Sequence, residues 1–483
     1  MKQTFSDDRL KSILSKLETN DSEIRNPPLA VRNPIHVLYG GAHLFKADTP
    51  RKLGAIALKS VEGYAPDFAE FARAMWLEGA DALPQFSEIV SQLDAQFEDD
   101  AKKMKAENYA AWFARTIYAR TIEKLRREPV EDFRIDFEDG YGIRADAEED
   151  AHAVSASDEL AKSFLNKTIT PFCGFRPKSF APETYKRAVR TFDLFLTNLI
   201  EKTKGKLPEN FVVNLPKITR RAEVEVLDEL LSEFEKRTNL ENGLIKIEIM
   251  IETPQAILDE KGAIALRGLV EAARGRCVAA HFGAYDYTAS LNISGAHQHL
   301  QHDACNFARQ MMQVALSPLG VRLADSVTTE MPFAVHAGEN LSEREIAENR
   351  RAVQTAWRAH FKNVMNSLIN GLYQSWDLHP AQLPARYAAV YSFFLQSKDA
   401  QGERLKNFLA KATQAAATGN QFDDAASAQG ILNFFARASN CGALTEAEIG
   451  EATNLTADEL RAASFAQIME NVVDGKRKIG NDK

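Results

Sequence analysis

The ten-residue stretch IKIEIMIETP, at residues 245–254, constrains the fold of this chain more than any other segment. Its isoleucines alternate with charged or long side chains, which is the period of two typical of a β-strand. A carboxylate is costly to bury unless a cation compensates its charge. Glu252, near the end of this apolar strand, therefore indicates an α/β protein that keeps its chemistry at the carboxyl ends of its strands.

A second apolar strand is predicted over Cys277–Phe282, and Gly283 and Asp286 follow it closely. Because parallel strands end at the same edge, we expect Glu252 and Asp286 to lie close together. Two carboxylates at one edge are ligands that a hard divalent cation such as Mg²⁺ prefers. The sequence thus predicts a magnesium site formed by these two acids.

Length and charge restrict the class of protein. With 483 residues, the chain is too long for one simple core, so we expect a large domain and an accessory one. The formal net charge of −8 and the lack of a long basic cluster argue against nucleic acid as a partner.

The four cysteines show neither paired spacing nor a zinc pattern, which is typical of a reduced, intracellular protein. No apolar run reaches membrane-spanning length and the N-terminus does not resemble a signal peptide, so we expect a cytoplasmic protein without a membrane partner.

Strand and helix signals alternate along most of the chain. Eight strands separated by helices predict a (β/α)₈ TIM barrel, an α/β fold. One long helix is also predicted over about 100–127. The predicted strands cover residues 35–39, 133–140, 172–177, 211–218, 245–254, 277–283, 321–327 and 368–378.

Three segments are predicted from these patterns. Residues 1–30 form an N-terminal helical segment, and residues 31–398 form the barrel. The barrel carries a helical insertion after its first strand, at about 65–128, which could supply an interface between copies of the chain. Strand signals cease after about residue 398, so residues 399–483 are predicted to be a C-terminal all-helical domain.

The motifs at the predicted strand ends resemble those of the malate synthase / citrate lyase β-subunit (HpcH/HpaI aldolase-like) superfamily, and of malate synthase in particular. The resemblance covers residues 30–440 and rests on seven motifs in the same order. These are Asp136-Phe137-Glu138-Asp139, Phe175-Arg176-Pro177-Lys178, Leu215-Pro216-Lys217, Ile251-Glu252-Thr253, Gly283-x-Tyr285-Asp286-Tyr287, His379-Pro380-x-x-Leu383-Pro384 and Asp423-Asp424-Ala425-Ala426-Ser427-Ala428.

The sequence departs from the family pattern at several positions. Tyr285 stands where the family has Trp, and Asp423 stands where it has Glu. His43 follows the first strand where an acid is expected, and the stretch GYGIR at residues 140–144 differs from the usual continuation. These changes leave the catalytic frame intact and bear on the identity of the substrate.

The resemblance implies roles for the residues at the barrel mouth. Glu252 and Asp286 would bind Mg²⁺, and Arg176 would hold a 2-oxo acid and stabilise the oxygen that becomes negative during attack. Asp136 and Glu138 would contribute to substrate binding, either as supporting residues around the metal or simply as ion-pair partners of Arg176. Gly283 is assigned to the substrate-binding group, and Lys217 is predicted to lie at the lip of the mouth.

The catalytic base implied by the resemblance is Asp424. Condensation of a thioester requires removal of a weakly acidic α-proton, and a carboxylate on a helical domain folded over the mouth could accept it. The alternative is that Asp423 or Asp424 only caps the N-terminus of the helix that follows.

The leading functional hypothesis is Mg²⁺-dependent Claisen condensation of an acyl-CoA (acetyl-CoA) with a 2-oxo acid (glyoxylate). Within enzymes, the alternative is a citrate-lyase-β-like lyase or aldolase that cleaves a hydroxyacyl thioester or hydroxy acid. From another class, the alternative is a catalytically silent barrel used as a binding subunit. The presence of Glu252, Asp286 and Arg176 argues against the silent barrel, because a retired site has no reason to keep buried charges.

Overall fold

A closed barrel of eight parallel strands forms the centre of the molecule. The computed structural model describes residues 32–418, 425–462 and 464–473. Each strand pairs with the next one in sequence, and β8 pairs with β1 to close the barrel. The predicted TIM barrel is therefore confirmed. The strands are β1 His36–Gly41, β2 Asp132–Asp136, β3 Phe172–Arg176, β4 Phe211–Leu215, β5 Lys246–Ile251, β6 Cys277–Phe282, β7 Arg322–Val327 and β8 Gln374–Asp377.

Helices follow every strand in the described part of the chain. Those between β1 and β2 include the predicted insertion, and the last ones form the C-terminal helical region. In chain order they are α1 Thr49–Tyr64, α2 Phe68–Met75, α3 Ser87–Glu107, α4 Tyr109–Arg127, α5 Asp146–Leu165, α6 Tyr185–Thr203, α7 Arg221–Thr238, α8 Pro254–Ile257, α9 Leu266–Ala272, α10 Ala284–Ser290, α11 Asp303–Leu316, α12 Glu343–Ile369, α13 Leu383–Thr418, α14 Ala425–Asn440, α15 Glu446–Thr453, α16 Ala457–Ala462 and α17 Phe465–Val473. No helix in the described ranges is long and apolar enough to cross a bilayer.

The sequence prediction differs most from the structure in one helix and in the last strand. The single helix predicted over about 100–127 is wrong, because the chain leaves the helix at Asn108, whose side chain then accepts from the Ala111 N–H and caps α4. The last strand is shorter than predicted, since Leu368 still belongs to α12. Gly371, at a φ of 81°, makes the turn that separates this helix from β8.

Alternation along the strands decides which side chains face the barrel axis. On β3, Phe175 points outward and its ring stacks on Phe195 of α6 with centroids 4.3 Å apart. Its neighbour Arg176 therefore points inward. On β5, the buried isoleucines face the helices, whereas Glu248 and Glu252 face the axis. The apolar side chains anchor each strand and aim the polar ones at the interior.

The C-terminal helices pack at the amino-terminal end of the barrel. Tyr373 directly precedes β8, and the Arg437 guanidinium of α14 lies 4.0 Å from the centre of its ring. Phe434 of α14 lies 5.0 Å from Phe394 of α13, measured between ring centroids. In addition, the Arg120 guanidinium of α4 donates to the carbonyl of Ala443. The described part of this region is thus on the side of the barrel opposite the carboxyl ends of the strands.

The predicted boundary at about residue 399 falls inside one continuous helix. Helix α13 begins at Leu383, next to the carboxyl end of β8, and ends at Thr418. Its first turns cover the barrel wall, and its later turns carry the C-terminal helices. The division into a barrel and a separate C-terminal domain remains a prediction. The predicted N-terminal segment, residues 1–30, lies outside the described residues.

Candidate active site at the mouth of the barrel

Five of the residues singled out from the sequence lie at the carboxyl ends of neighbouring strands. Asp136 ends β2 and pairs in register with Arg176, which ends β3. Glu252 follows β5 directly, and Asp286 lies in the first turn of α10, just after β6. Glu138 lies two residues beyond Asp136. The barrel thus brings these side chains to one mouth.

Arg176 is held by Asp136 in a two-point ion pair. Its Nε and Nη2 donate to the two carboxylate oxygens of Asp136, each at 2.7 Å. The same oxygens also accept from the backbone N–H groups of Glu138 and Gly140. Both oxygens of Asp136 are therefore occupied, and its observed role is to orient Arg176.

One nitrogen of Arg176 remains available. Nη1 is buried and has no hydrogen-bond partner among the described residues, although it lies 3.3 Å from a Glu138 oxygen. The guanidinium carbon lies 4.7 Å from the ring centre of Tyr39 and 5.8 Å from that of Trp376. Burial alone would lower the pKa of Arg176, but Asp136 raises it well above its usual value. Arg176 is thus a fixed, charged group with a free donor.

Glu252 is buried beside Gly283 and Lys217. Its Oε1 accepts from the backbone N–H of Lys217 at 2.5 Å. Burial raises the pKa of Glu252 to about 8, with a further contribution from nearby Asp286, although Lys217 and Arg176 act in the opposite direction. The predicted metal ligand is therefore a carboxyl group whose ionisation depends on a nearby cation.

Lys217 connects the acids of the mouth. Its Nζ lies 3.0 Å from Glu138 Oε1, 3.1 Å from Asp286 Oδ2 and 3.3 Å from both oxygens of Asp139. Burial alone would lower the pKa of Lys217, but these acids and Glu252 raise it far above its usual value. The ammonium therefore stays charged, which excludes it as a Schiff-base nucleophile in this state.

The donor set of the mouth fits a hard divalent cation. No three His, Cys, Asp or Glu side chains in the described ranges converge on one point closely enough to hold a metal by themselves. Mg²⁺ commonly uses one or two protein carboxylates and completes its shell with substrate oxygens and water. Glu252 and Asp286 could provide these carboxylates, with Glu138 nearby, once the Lys217 ammonium moves from its position among them.

Other predicted residues take supporting places. Gly283 makes close contact with the Glu252 side chain. His379 caps the short turn after β8 by accepting from the Ala381 N–H, and its ring packs edge-on against Phe333. His43 lies beside Tyr141, with ring centroids 5.5 Å apart. Asp424, the predicted base, lies outside the described residues.

A buried polar network below the mouth was not predicted from the sequence. Glu248 accepts from both Arg134 and Asn214 at 2.7 Å. His281 Nδ1 accepts from Trp376 Nε1 at 3.2 Å, and its Nε2 lies 2.9 Å from Glu248. Because an indole N–H can only donate, the proton of a neutral His281 must be on Nε2. The available signal was the spacing of four residues between Glu248 and Glu252, two strand periods, which directs both side chains to the inner side of the barrel wall.

Comparison with known proteins identifies a family. The sequence profile described as "Domain of unknown function (DUF6986)" matches residues 26–468. No curated protein matches the chain.

Solved structures give distant similarities. The Haloferax volcanii malate synthase magnesium/glyoxylate complex has 15% identity and a TM-score of 0.39, with 57% of this chain and 70% of that chain covered. The lead(II) complex of the same enzyme has 14% identity and a TM-score of 0.40, covering 74% of this chain and 93% of that one. The M. tuberculosis citrate lyase β subunit with oxaloacetate and magnesium has 17% identity and a TM-score of 0.35, covering 56% and 92%. Similarity at this level carries no argument about the reaction, which we therefore base on the chain's own residues.

Proposed function

Because the chain belongs to the DUF6986 family, a domain of unknown function, we propose its activity from the residues of its own barrel mouth. The proposed reaction forms or breaks a carbon–carbon bond next to the carbonyl of a 2-oxo acid. The leading form is a malate-synthase-like condensation of an acyl-CoA with the oxo acid, and acetyl-CoA with glyoxylate is the first pair to test.

The observation that carries this proposal is the unused Nη1 of Arg176 beside the acids of the mouth. Arg176 is already fixed through Nε and Nη2, so Nη1 can donate to a ligand without reorganisation. A small anion with a carboxylate and a carbonyl oxygen suits this donor, because charge increases on the carbonyl oxygen as the new bond forms. The Arg176 side chain is 3% exposed, which excludes water and strengthens that interaction.

Glu252 and Asp286 are the residues that would hold Mg²⁺. When bound, the ion would polarise the carbonyl of the oxo acid. Glu252 is fixed from one side by the Lys217 N–H and from another by Gly283. Asp286 is about half exposed and lies on the first turn of a helix, so it can adjust to a ligand that enters from the solvent.

A condensation also needs a base for the α-proton of the thioester. The family resemblance points to Asp424, and we retain this assignment as part of the proposal. The acids beside Arg176 are less suited to this task, because Asp136 is paired with Arg176, while Glu138 and Asp286 are paired with Lys217. The base is thus expected to approach from outside the barrel.

Cleavage in the citrate-lyase-β manner is the second candidate. The position of the C-terminal helices favours it, because their described residues lie at the opposite end of the barrel from Arg176.

A catalytically silent binding subunit is the third candidate. It predicts no Mg²⁺-linked rise in melting temperature with glyoxylate or pyruvate, whereas both enzyme proposals predict one.

The deciding experiment is a substrate panel with detection of free CoA. Purified protein is mixed with acetyl-CoA or other acyl-CoA thioesters and with glyoxylate or other 2-oxo acids, with Mg²⁺ or with a chelator. Condensation forms a hydroxyacyl-CoA, and hydrolysis of that thioester by water then releases free CoA, which should appear only when both substrates and Mg²⁺ are present. Cleavage instead splits a hydroxyacyl thioester into an oxo acid and a shorter thioester, or a hydroxy acid into an oxo acid and a second carboxylic acid. No product with any pair, together with no oxo-acid binding, would reject both enzyme proposals.

A further inference from the structure

Lys217 has an unusual backbone conformation for its residue type. Its φ is 52°, in the left-handed region where glycine and asparagine are preferred and a long side chain is uncommon. The strain is compensated by the hydrogen bond from its N–H to Glu252 Oε1.

The Lys217 side chain has the surroundings of a bound cation. Three carboxylates lie 3.0–3.3 Å from its Nζ, contributed by Glu138, Asp139 and Asp286. Nearby Glu252 also raises the pKa of Lys217. An ammonium in this position neutralises acids that would otherwise repel one another.

The mouth carries more negative than positive groups. Against the effect of burial, two cations, Arg176 and Lys217, lower the pKa values of the nearby acids Glu138, Asp139 and Glu252. One of these cations, Arg176, is already paired with Asp136. A buried donor beside these acids also lacks an acceptor among the described residues, which fits an anionic ligand bound next to the cation. The buried Nη1 of Arg176 points toward the same acids and has no hydrogen-bond partner in the described part of the chain.

We propose that Lys217 is an internal counter-ion, whose ammonium holds the place of the divalent cation until that cation displaces it. The inference rests on the metal assignment made for the proposed function, and it adds the residue that controls metal affinity. Displacement requires only rotation of the lysine side chain, which is about one-third exposed and can extend into the solvent at the mouth. The backbone N–H of Lys217 would continue to hold Glu252 in both states.

The test compares Mg²⁺ binding by calorimetry, without substrate, for the wild type and Lys217→Met. The neutral variant should bind Mg²⁺ more tightly by a factor on the order of ten or more, because the competing charge is gone. Lys217→Arg keeps the charge and should not gain affinity. Lys202→Met is a matched control, since Lys202 forms an exposed ion pair with Asp158 at the end of α6 and should behave as the wild type.

A second measurement does not depend on the metal. Without Mg²⁺, Lys217→Met should have a lower melting temperature, and adding Asp286→Asn to it should restore part of the loss by removing a repelling charge. The counter-ion role is wrong if the single variant melts at the wild-type temperature or if the second substitution lowers the melting temperature further.

The outcomes separate this inference from the proposed function. Equal or weaker Mg²⁺ affinity in Lys217→Met, with intact binding in the wild type, would overturn displacement and leave the metal assignment standing. If neither protein binds Mg²⁺, displacement and the metal assignment both fail. Product formation in the presence of a chelator would then show whether the carbon–carbon chemistry survives without the metal.

Discussion

Gly283 lies so close to Glu252 that a Cβ on Gly283 would meet Glu252 Cβ at 2.5 Å and Glu252 Oε2 at 2.6 Å. The pairing of Ile251 with Phe282 between β5 and β6 places the two residues side by side at the ends of their strands. The Glu252 carboxylate can occupy its position only because residue 283 is a glycine and has no side chain. We therefore expect Gly283 to leave space for Glu252 rather than to bind the substrate itself.

Gly283→Ala should therefore displace the carboxylate and lower Mg²⁺ affinity. The added methyl group must force Glu252 or the strand end to move, which should also destabilise the protein by about 1–3 kcal/mol. Chemical denaturation and Mg²⁺ calorimetry measure the two effects. Gly63→Ala is the control, because a Cβ on Gly63 in α1 meets no atom within 4 Å. Unchanged Mg²⁺ affinity in Gly283→Ala would separate the glycine from the candidate metal site.

Arg176→Lys should bind a 2-oxo acid much more weakly and lower turnover by a factor on the order of 10²–10³. A lysine ammonium cannot keep both contacts to Asp136 and also present the donor that Nη1 provides. Binding of glyoxylate or pyruvate by calorimetry and release of free CoA are the measurements. Arg190→Lys is the control, because Arg190 forms a comparable ion pair with Asp150 at an exposed position on α6. This variant should leave oxo-acid binding and turnover unchanged. If Arg176→Lys binds the oxo acid with the affinity of the wild type, the proposed role of this guanidinium is wrong.

The barrel was predictable because its strands are marked locally. Alternation of isoleucines with inward-facing residues identified β5, and the acids or arginine at the strand ends identified the mouth. The start of β8 was missed because Leu368 and Ile369 resemble strand residues, whereas the helix before them continues until the turn at Gly371.

Long-range packing explains what the sequence could not predict. The location of α14 depends on contacts such as Arg437 with Tyr373, which join segments far apart in the chain. The role of Lys217 depends on a left-handed backbone and on acids that follow other strands, neither of which is visible in the motif Leu215-Pro216-Lys217. Local patterns therefore identified the acids of the mouth and placed Lys217 at its lip, but they did not predict the ion pairs between them.

The four cysteines should not react with a thiol reagent in the native protein. All are free, and burial raises the pKa of Cys173, Cys277 and Cys441 to about 12 and that of Cys305 to about 11. The reactive thiolate form is thus rare near neutral pH. Incubation with a chromogenic disulfide should label none of them before unfolding and all four in denaturant. Rapid labelling of the native protein would contradict the raised pKa values of these thiols. Slow labelling permits detection of free CoA with the same reagent.

Stability should fall as the pH drops below about 6.5 because of His360. Burial lowers the pKa of His360 from its ordinary value, although its contact with Asp377 at 2.7 Å acts in the opposite direction. The unfolded chain then binds more protons than the folded one below the unfolded pKa, so acid favours unfolding.

Melting temperatures at about pH 7.5 and about pH 5 test this prediction. His360→Gln can still donate to Asp377 but does not titrate in this range. Its melting temperature should be lower than that of the wild type at neutral pH and should change less between the two conditions. An equal pH dependence in both proteins would assign the effect to other groups.

Asp424→Asn should lower turnover by a factor on the order of 10²–10⁴, the usual contribution of a general base. The substitution keeps the shape of the side chain and its capping oxygen but cannot accept a proton, so folding and oxo-acid binding should be nearly unchanged. Exchange of the thioester α-proton in deuterated water isolates this step. Asp423→Asn is the matched control and should retain exchange. Wild-type exchange in both variants would remove this segment from the chemistry.

The position of the C-terminal helices adds a requirement to that prediction. Asp424 directly precedes Ala425, where α14 begins, and the described residues of α14 contact the amino-terminal end of the barrel. Helix α13 rises about 1.5 Å per residue, so the 24 residues that follow Phe394, up to Thr418, span about 36 Å beyond that contact. If Asp424 is the base, the mouth that it serves should therefore belong to a second copy of the chain. Mixing inactive Asp424→Asn with inactive Glu252→Gln should then restore activity, because some mouths receive an intact Glu252 and an intact Asp424 from different chains. No recovery in mixed oligomers that are shown to exchange subunits would place the base within the same chain as the mouth.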